Sequence, residues 1–184
     1  MYPSIIALVG HIRSGKSSIA EYLCHKYDYS LASNSDLLRE IAKNLGMEQN
    51  RENLKKLGDS IFSVLGNDTL ARFRLSQPQK FPIIVDGIRY KEEIELYSQL
   101  TSFKLIGVQA SDDLRLARLN HLANQGKDTT LSKSDFDKLQ YARSELQINE
   151  LLGLADIIIC NERTKSELYL EIDKLMKLWR DSTL

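Results

Sequence analysis

Short apolar runs recur along the chain, separated by longer stretches in which apolar residues follow helical spacing. Continuous apolar runs predict strands that are buried on both faces of a parallel sheet. They occur at Ile5–Val9, Ile83–Asp86, Phe103–Ala110 and Ile157–Cys160, and Tyr29–Ser33 is a shorter candidate. The alternation of strands with helices predicts an α/β fold in which helices cover both faces of an open parallel sheet.

Helical spacing is clearest where Leu54, Leu57, Ile61 and Leu65 recur on one face, before Gly66 ends the pattern. The polar positions between them fit the solvated side of an amphipathic helix. The other predicted helices span residues 18–27, 34–45, 68–75, 91–100 and 112–124, and a further helix begins at Ser134. The helix at 34–45 is predicted to have its cap at Asn34, Ser35 or Asp36. The last predicted helix presents Leu168, Ile172, Leu175 and Trp179 on one face.

The first predicted strand leads directly into a loop, residues 10–17, with the spacing G-x-x-x-x-G-K-S. Such a loop turns its backbone N–H groups toward phosphate oxygens, and the dipole of the following helix adds partial positive charge there. In this pattern Lys16 reaches the β- and γ-phosphates, and the Ser17 hydroxyl binds Mg²⁺. The sequence therefore predicts a nucleoside triphosphate site, with contacts from Gly10, Arg13, Ser14, Gly15, Lys16, Ser17 and Ser18.

A chance match is the alternative to this prediction. Average residue frequencies give roughly one accidental occurrence in a hundred or more chains of this length. The apolar run before the loop and the helical spacing after it lower that chance further, because the phosphate site requires both.

Composition limits the class of protein. At 184 residues the chain has the length of one domain. Lys plus Arg and Asp plus Glu both number 25, so the net charge is zero, which argues against a general attraction to nucleic acid or anionic membranes. Cys24 and Cys160 fit neither a disulfide framework nor a metal cluster, and this favours reduced thiols and a cytoplasmic location. No apolar run approaches the ~20 residues of a membrane span, and no signal-peptide pattern precedes the first strand.

An acidic residue, Asp86, ends the second continuous apolar strand. Parallel sheets place such residues at the carboxyl ends of strands, beside the phosphate loop, where a triphosphate site needs a carboxylate near Mg²⁺. We therefore interpret Asp86 first as a ligand of Mg²⁺ or its water and second as a base for an acceptor hydroxyl. The structural alternative is an acid that caps the turn at Gly87.

Other features separate the classes of triphosphate-binding protein. A signalling GTPase needs an N-K-x-D-like clamp on a late strand, and residues 159–163 read Ile-Cys-Asn-Glu-Arg, without its Lys and Asp. Small-molecule kinases have a long acceptor-binding segment between the loop and the acidic strand, and arginines on a late helical lid that neutralise the transferred phosphoryl group. This chain has both features.

Five segments together resemble a known family. They are the phosphate loop, Ser35–Glu40, Val85–Arg89 followed by Glu92-Glu93-Ile94, Arg115–Leu119, and Ala155–Glu162. In this order they are similar to nucleotide kinases of the dephospho-coenzyme A kinase, deoxynucleoside monophosphate kinase and adenylate kinase type, and especially to a group of nucleotide-kinase-like P-loop proteins known mainly from archaea. The resemblance implies one kinase domain over residues 1–184, with a three-layer α/β fold and five parallel strands. It also implies a helical acceptor-binding region at 34–80 and a lid at 115–143.

The resemblance also implies residue roles. It assigns acceptor binding to Asp36, Arg39, Arg89 and Arg143, nucleotide binding to Arg115, Arg118 and Asn161, and catalysis to Lys16, Asp86 and Arg118. Planar guanidinium groups suit these roles because they bind phosphate oxygens in pairs and neutralise charge.

Two features qualify these assignments. Arg39 and Arg143 lie on predicted helices, where pairing with Glu40 and Glu145 is the structural alternative. The lid tip departs from the family pattern, since residues 120–128 offer only His121 and Lys127 as cations. Residues 125–131 read as a polar, mobile flap.

The sequence thus predicts an ATP- and Mg²⁺-dependent phosphotransferase that acts on a small phosphorylated acceptor, such as a nucleoside monophosphate or dephospho-coenzyme A. Two alternatives remain open at this point. One is a non-catalytic ATP-binding regulator, which the arginine-poor lid tip favours, and the other is a kinase that acts on nucleic-acid ends, against which the neutral charge argues.

Overall fold

Five parallel strands form one sheet in the computed structural model, which describes residues 1–78, 80–100, 102–124, 130–140 and 147–182. The strand order is β2-β3-β1-β4-β5. The strands are β1 Ile5–Val9, β2 Ser30–Ser33, β3 Ile83–Asp86, β4 Phe103–Gln109 and β5 Ile157–Cys160. The predicted fold class, a parallel α/β sheet of five strands, is confirmed.

Helices connect these strands. Within the described residues they are α1 Lys16–Tyr27, α2 Asn34–Asn44, α3 Arg51–Leu65, α4 Thr69–Ser76, α5 Lys91–Ser98, α6 Asp112–Asn124, α7 Lys133–Gln140, α8 Ile148–Leu152 and α9 Lys165–Asp181. Two details differ from the prediction. The cap of α2 is Ser33, whose hydroxyl accepts from the Asp36 N–H at 3.2 Å, so the predicted cap at residues 34–36 is wrong. The short helix α8 was not predicted, because five residues are too few to show a helical period.

Two hydrophobic layers lie on opposite faces of the sheet. In β1 the side chains of Ile5, Ala7 and Val9 pack on one face, while Ile6 and Leu8 pack on the other. Every residue of β1 is buried, because helices cover both of its faces. Helices α4, α5 and α8 contribute to the first layer, and α1 and α9 to the second.

Strand register brings the carboxyl ends of the strands to one edge of the sheet. Asp86, the last residue of β3, lies opposite Leu8 of β1 and opposite Ser33 of β2. The loop that leaves β1 therefore starts beside Asp86 and beside the beginning of α2. No helix in the described part of the chain is both long enough and apolar enough to cross a membrane.

Candidate active site

The loop between β1 and α1 has the geometry of a phosphate cradle. Helix α1 begins at Lys16, directly after the loop, so the positive end of its dipole lies at the loop and favours an anion there. A Cβ on Gly10 would lie only 2.2 Å from the Val108 carbonyl oxygen, which explains why the loop needs glycine where it leaves the sheet. The Ser14 side chain is fully buried beneath the loop.

Lys16 folds back onto its own loop. Its Nζ donates to the carbonyl oxygens of Gly10 at 2.7 Å and His11 at 3.0 Å. These bonds hold a positive charge at the mouth of the cradle. The same ammonium group can exchange the carbonyl oxygens for phosphate oxygens, since both are hydrogen-bond acceptors.

Gly15 and Asn161 fit together tightly. Gly15 has φ of +114°, and an added Cβ would lie 2.1 Å from the Asn161 Nδ2. That nitrogen donates to the Ser14 carbonyl oxygen at 2.8 Å, and the Asn161 N–H donates to the Gln109 carbonyl oxygen at 2.8 Å. Asn161 therefore locks the loop to β4 and to the end of β5.

We expect Gly15→Ala to lower the free energy of unfolding by about 2–5 kcal/mol. The sum combines the left-handed backbone cost of ~1–2 kcal/mol with ~1–3 kcal/mol for overpacking against Asn161. Gly46→Ala is the matched control, because Gly46 also has positive φ, +68°, but has no atom within 4 Å of the added Cβ. Chemical denaturation of both variants measures the difference, and equal losses would contradict the contact with Asn161.

Asp86 lines the cleft, and one oxygen of its carboxylate has an unusual environment. Its Oδ1 is buried and has no hydrogen-bond partner among the described residues. A buried carboxylate oxygen without a donor is costly, and such atoms in folded proteins commonly bind a metal ion or water. Ser17 lines the same cleft. Carboxylate and hydroxyl oxygens are ligands suited to Mg²⁺, so the residues present fit that ion.

Arg118 on α6 joins the loop to the end of β5. Its Nη1 donates to the carbonyl oxygens of Arg13 and Ser14, both at 3.2 Å, and its Nη2 donates to the Asn161 carbonyl oxygen at 2.9 Å. Burial lowers the pKa of the guanidinium, but an arginine stays protonated in proteins. The side chain thus places its charge against the phosphate loop.

Arg115, one turn earlier on α6, lies behind the loop. It is 2% exposed, its Nη1 donates to the Ile12 carbonyl oxygen at 3.3 Å, and its Nη2 pairs with Asp112 at 2.6 Å. Its guanidinium stacks 5.1 Å from the Phe136 ring centroid. In this conformation Arg115 supports the loop from the rear.

The predicted acceptor residues separate into two groups. Arg89 lines the cleft close to Asp86, and Ser35 at the start of α2 joins them. Asp36 and Arg39 instead form an exposed pair on α2, with Arg39 Nη1 2.6 Å from Asp36 Oδ1, and they are not among the described residues that line the cleft. Their assigned role stays a prediction.

Some predicted residues lie outside the described part of the chain. These are Arg143, Lys127 and most of the predicted flap, residues 125–129. His121, the other cation predicted near the lid tip, is described and lines the cleft.

The cleft itself has a volume of about 660 Å³ and a strongly positive lining. Although the net charge of the protein is zero, several positively charged side chains lie together in this cleft. Its described charged lining residues are Arg13, Lys16, Asp86, Arg89, Arg118, Arg163 and Lys165. Sequence reasoning did not assign roles to Ser35, Arg163 or Lys165. Their position within two to five residues of the end of a parallel strand was the available signal, because the carboxyl ends of such strands lie beside the phosphate loop.

Comparisons with known proteins agree with this geometry. The profile of a family described as an AAA domain matches residues 10–134. A UPF0200 protein of Sulfurisphaera tokodaii is 30% identical over 174 residues, covering 94% of this chain and 96% of the relative. A UPF0200 protein of Hyperthermus butylicus is 24% identical over 175 residues, covering 94% and 92%.

Two solved structures show the same fold at low identity. A shikimate kinase from Acinetobacter baumannii, in complex with shikimate, has a TM-score of 0.59 and 17% identity, covering 95% of this chain and 93% of that one. A gluconokinase from Sinorhizobium meliloti has a TM-score of 0.57 and 15% identity, covering 100% and 99%.

Proposed function

This chain belongs to the AAA-domain family and to the UPF0200 family, and we propose that it is an ATP- and Mg²⁺-dependent phosphotransferase with a small phosphorylated acceptor. The kinase-like P-loop fold supports ATP-dependent phosphoryl transfer as the reaction class. A nucleoside monophosphate or dephospho-coenzyme A is the proposed acceptor. Residues 34–80 form the proposed acceptor region and residues 115–143 the proposed lid.

The observation that carries the proposal is the charge distribution of the cleft. Six lysine or arginine side chains and a single carboxylate line it among the described residues. A triphosphate and a phosphorylated acceptor bring several negative charges together, and their mutual repulsion has to be neutralised before transfer can occur. The carboxylate, Asp86, is the one negatively charged side chain in the described lining, and it suits a metal ion or a hydroxyl proton.

Each residue then has a defined task in the transfer. Lys16 leaves the carbonyl oxygens of its loop and binds the β- and γ-phosphates, while Arg118 places positive charge beside them. Arg89 holds the anionic group of the acceptor. The attacking oxygen of the acceptor is a hydroxyl in dephospho-coenzyme A and a phosphate oxygen in a nucleoside monophosphate. It forms a bond to the γ-phosphorus as the bond from that phosphorus to the bridging oxygen breaks, and ADP leaves. Where the attacking group is a hydroxyl, its proton passes to Asp86 or to water.

Ser17 and Asp86 are the residues that would hold Mg²⁺, which when bound neutralises phosphate charge. The fit rests on the buried, unpartnered Oδ1 of Asp86. Asn161 and the cleft residues Leu122 and Leu168 lie beside the loop and suit a nucleobase, because two are apolar and one is an amide.

Thermal shift and a transfer assay test the proposal in sequence. ATP with Mg²⁺ at a hundred times its dissociation constant stabilises the fold by ~2.7 kcal/mol, which raises the unfolding temperature by roughly 5–10 °C for this chain length. A panel of nucleoside monophosphates and dephospho-coenzyme A is then assayed for acceptor-dependent ADP formation. Reactions with EDTA and reactions without acceptor are the controls.

Each outcome has a distinct meaning. Acceptor-dependent ADP formation supports the kinase. A thermal shift with ATP but no transfer across the panel favours the regulator that closes on ATP without chemistry. The absence of any shift at millimolar ATP contradicts both.

A further inference from the structure

A buried polar network lies beneath the acceptor side of the cleft, and none of its side chains has a task in the proposed reaction. It consists of Asn34 at the start of α2, Arg74 on α4 and Glu93 on α5. Tyr97 of α5 lies beside it, with a buried hydroxyl that has no hydrogen-bond partner among the described residues. Glu93 and Tyr97 are 0% exposed, and Asn34 is 5% exposed. Carboxyl groups are rarely buried to this extent, because losing their hydration is costly unless they gain specific partners.

Asn34 is the centre of the network. Its Nδ2 donates to Glu93 Oε2 at 3.1 Å and to the Gly87 carbonyl oxygen at 3.4 Å. Its Oδ1 accepts from Arg74 Nε at 3.3 Å, and Arg74 Nη2 also donates to the Ser33 carbonyl oxygen. One amide thus ties the end of β2 to the turn that follows β3.

Glu93 fixes the same turn from the other side. Its carboxyl group accepts a hydrogen bond from the backbone of Arg89, besides the bond from Asn34. Gly87, between Asp86 and Arg89, has φ of +93°, and an added Cβ would be 3.4 Å from Asn34 Cβ. Hydrogen bonds at the Gly87 carbonyl oxygen and at the Arg89 backbone therefore hold the turn, and glycine at position 87 permits its positive φ.

We propose that Glu93 and Asn34 are positioning residues, which hold the turn at residues 86–89 so that Asp86 and Arg89 face the phosphate loop from fixed positions. The inference rests on the proposed function for its catalytic consequence. The geometric part concerns the free protein and stands without it. The network touches neither nucleotide nor acceptor directly in this arrangement, since Asn34, Arg74, Glu93 and Tyr97 are not among the described lining residues.

The protonation state of Glu93 is consistent with a role in holding the turn. Burial raises its pKa to about 8, so the group is mostly neutral at pH 7. A neutral carboxyl keeps its acceptor oxygen for Asn34 and for the Arg89 backbone. Glutamine has the same shape and the same acceptor, so Glu93→Gln is a conservative variant, whereas Glu93→Leu keeps the volume and removes the acceptor.

Hydrogen–deuterium exchange of the free protein tests the geometric part. We expect peptides covering residues 84–90 to exchange at least about tenfold faster in Glu93→Leu, and unchanged exchange in Glu93→Gln. Glu95→Leu is the matched control, because Glu95 lies on the same helix and is exposed. Asn34→Ala provides a second variant with the same expected local effect, should Glu93→Leu fail to fold.

ATP affinity measured with Mg²⁺ and with EDTA tests the functional part. Affinity in EDTA reports the phosphate loop, and the gain on adding Mg²⁺ reports the proposed Mg²⁺ site at Ser17 and Asp86, of which only Asp86 adjoins the turn. In Asn34→Ala and Glu93→Leu we expect the Mg²⁺-dependent gain in ATP affinity to fall by at least about tenfold, while the affinity in EDTA stays within about twofold of wild type. In Glu93→Gln we expect both the gain and the affinity in EDTA to stay at the wild-type value.

Three results would overturn the inference. One is wild-type exchange at residues 84–90 in a folded Glu93→Leu or Asn34→Ala protein. Another is faster exchange spread equally over β1 and α1, which would indicate general destabilisation. The third is an unchanged Mg²⁺-dependent gain. If the wild-type protein binds no ATP, the proposed function fails, whereas the exchange data still decide the geometric part.

Discussion

Lys16→Met is expected to reduce phosphoryl transfer by about 10²–10³-fold, the usual effect of removing one preorganised donor from a charge-stabilising site. Methionine has nearly the length of lysine but cannot donate to phosphate oxygens or neutralise their charge. The fold should persist with reduced stability, because the two hydrogen bonds from the charged Lys16 Nζ to Gly10 and His11 contribute about 1.5–3 kcal/mol each, out of the ~5–15 kcal/mol of a typical domain. Initial rates with a saturating acceptor, together with thermal unfolding, measure both effects.

Lys177→Met is the matched control for this prediction. Lys177 is exposed on α9, and Lys165 at the start of that helix lines the cleft. The two positions are separated by about 18 Å along the helix axis, since each residue rises ~1.5 Å. Full activity in a folded Lys16→Met protein would remove Lys16 from the mechanism.

Asp86→Asn has the second large expected effect, and activity and stability should change in opposite directions. Phosphoryl transfer should fall by about 10²–10³-fold, because the amide loses the negative charge that suits Mg²⁺ and cannot accept a hydroxyl proton. The unfolding temperature should stay the same or rise. Asp86 Oδ1 is buried without a hydrogen-bond partner, so removing the charge removes a desolvation cost.

A second aspartate provides the comparison. Asp28 is exposed and follows α1 at the end opposite the phosphate loop, in a left-handed conformation that asparagine tolerates. Asp28→Asn should leave both rate and unfolding temperature unchanged. A marked loss of stability in Asp86→Asn, with transfer retained, would show that the carboxylate caps its turn and does not act in the reaction.

The sequence predicted most of the fold because its signals are local. Strands β1 and β3 are nearly continuous apolar runs, which are typical of strands covered on both faces, whereas β2 reads Ser-Leu-Ala-Ser and gave only a weak signal. The phosphate loop was equally readable, since glycines at fixed spacing, a lysine and the start of a helix lie in one segment. Helix boundaries were predicted less accurately. At the start of α2, for example, residues 33–36 include several side chains able to cap a helix.

Side-chain roles were harder to predict where the partner is distant in sequence. Arg115 and Arg118 lie one turn apart on the same helix, yet one stacks on Phe136 behind the loop and the other hydrogen bonds to the carbonyl oxygens of Arg13 and Ser14. The family resemblance assigned both arginines to nucleotide binding. It could not decide which face of the loop each would meet, because that depends on how α6 packs against the sheet.

The sequence by itself determined the succession of the main strands and helices along the chain, the phosphate loop and the acidic residue at the end of β3. Only the tertiary structure decided that Asn161 packs against Gly15, that Glu93 and Asn34 hold the turn after Asp86, and that the cations gather in one cleft of a neutral protein. The physical reason is that backbone preference and the spacing of apolar residues depend only on residues within one turn, helix or strand. Hydrogen bonds between residues more than fifty positions apart exist only after the sheet has set its register.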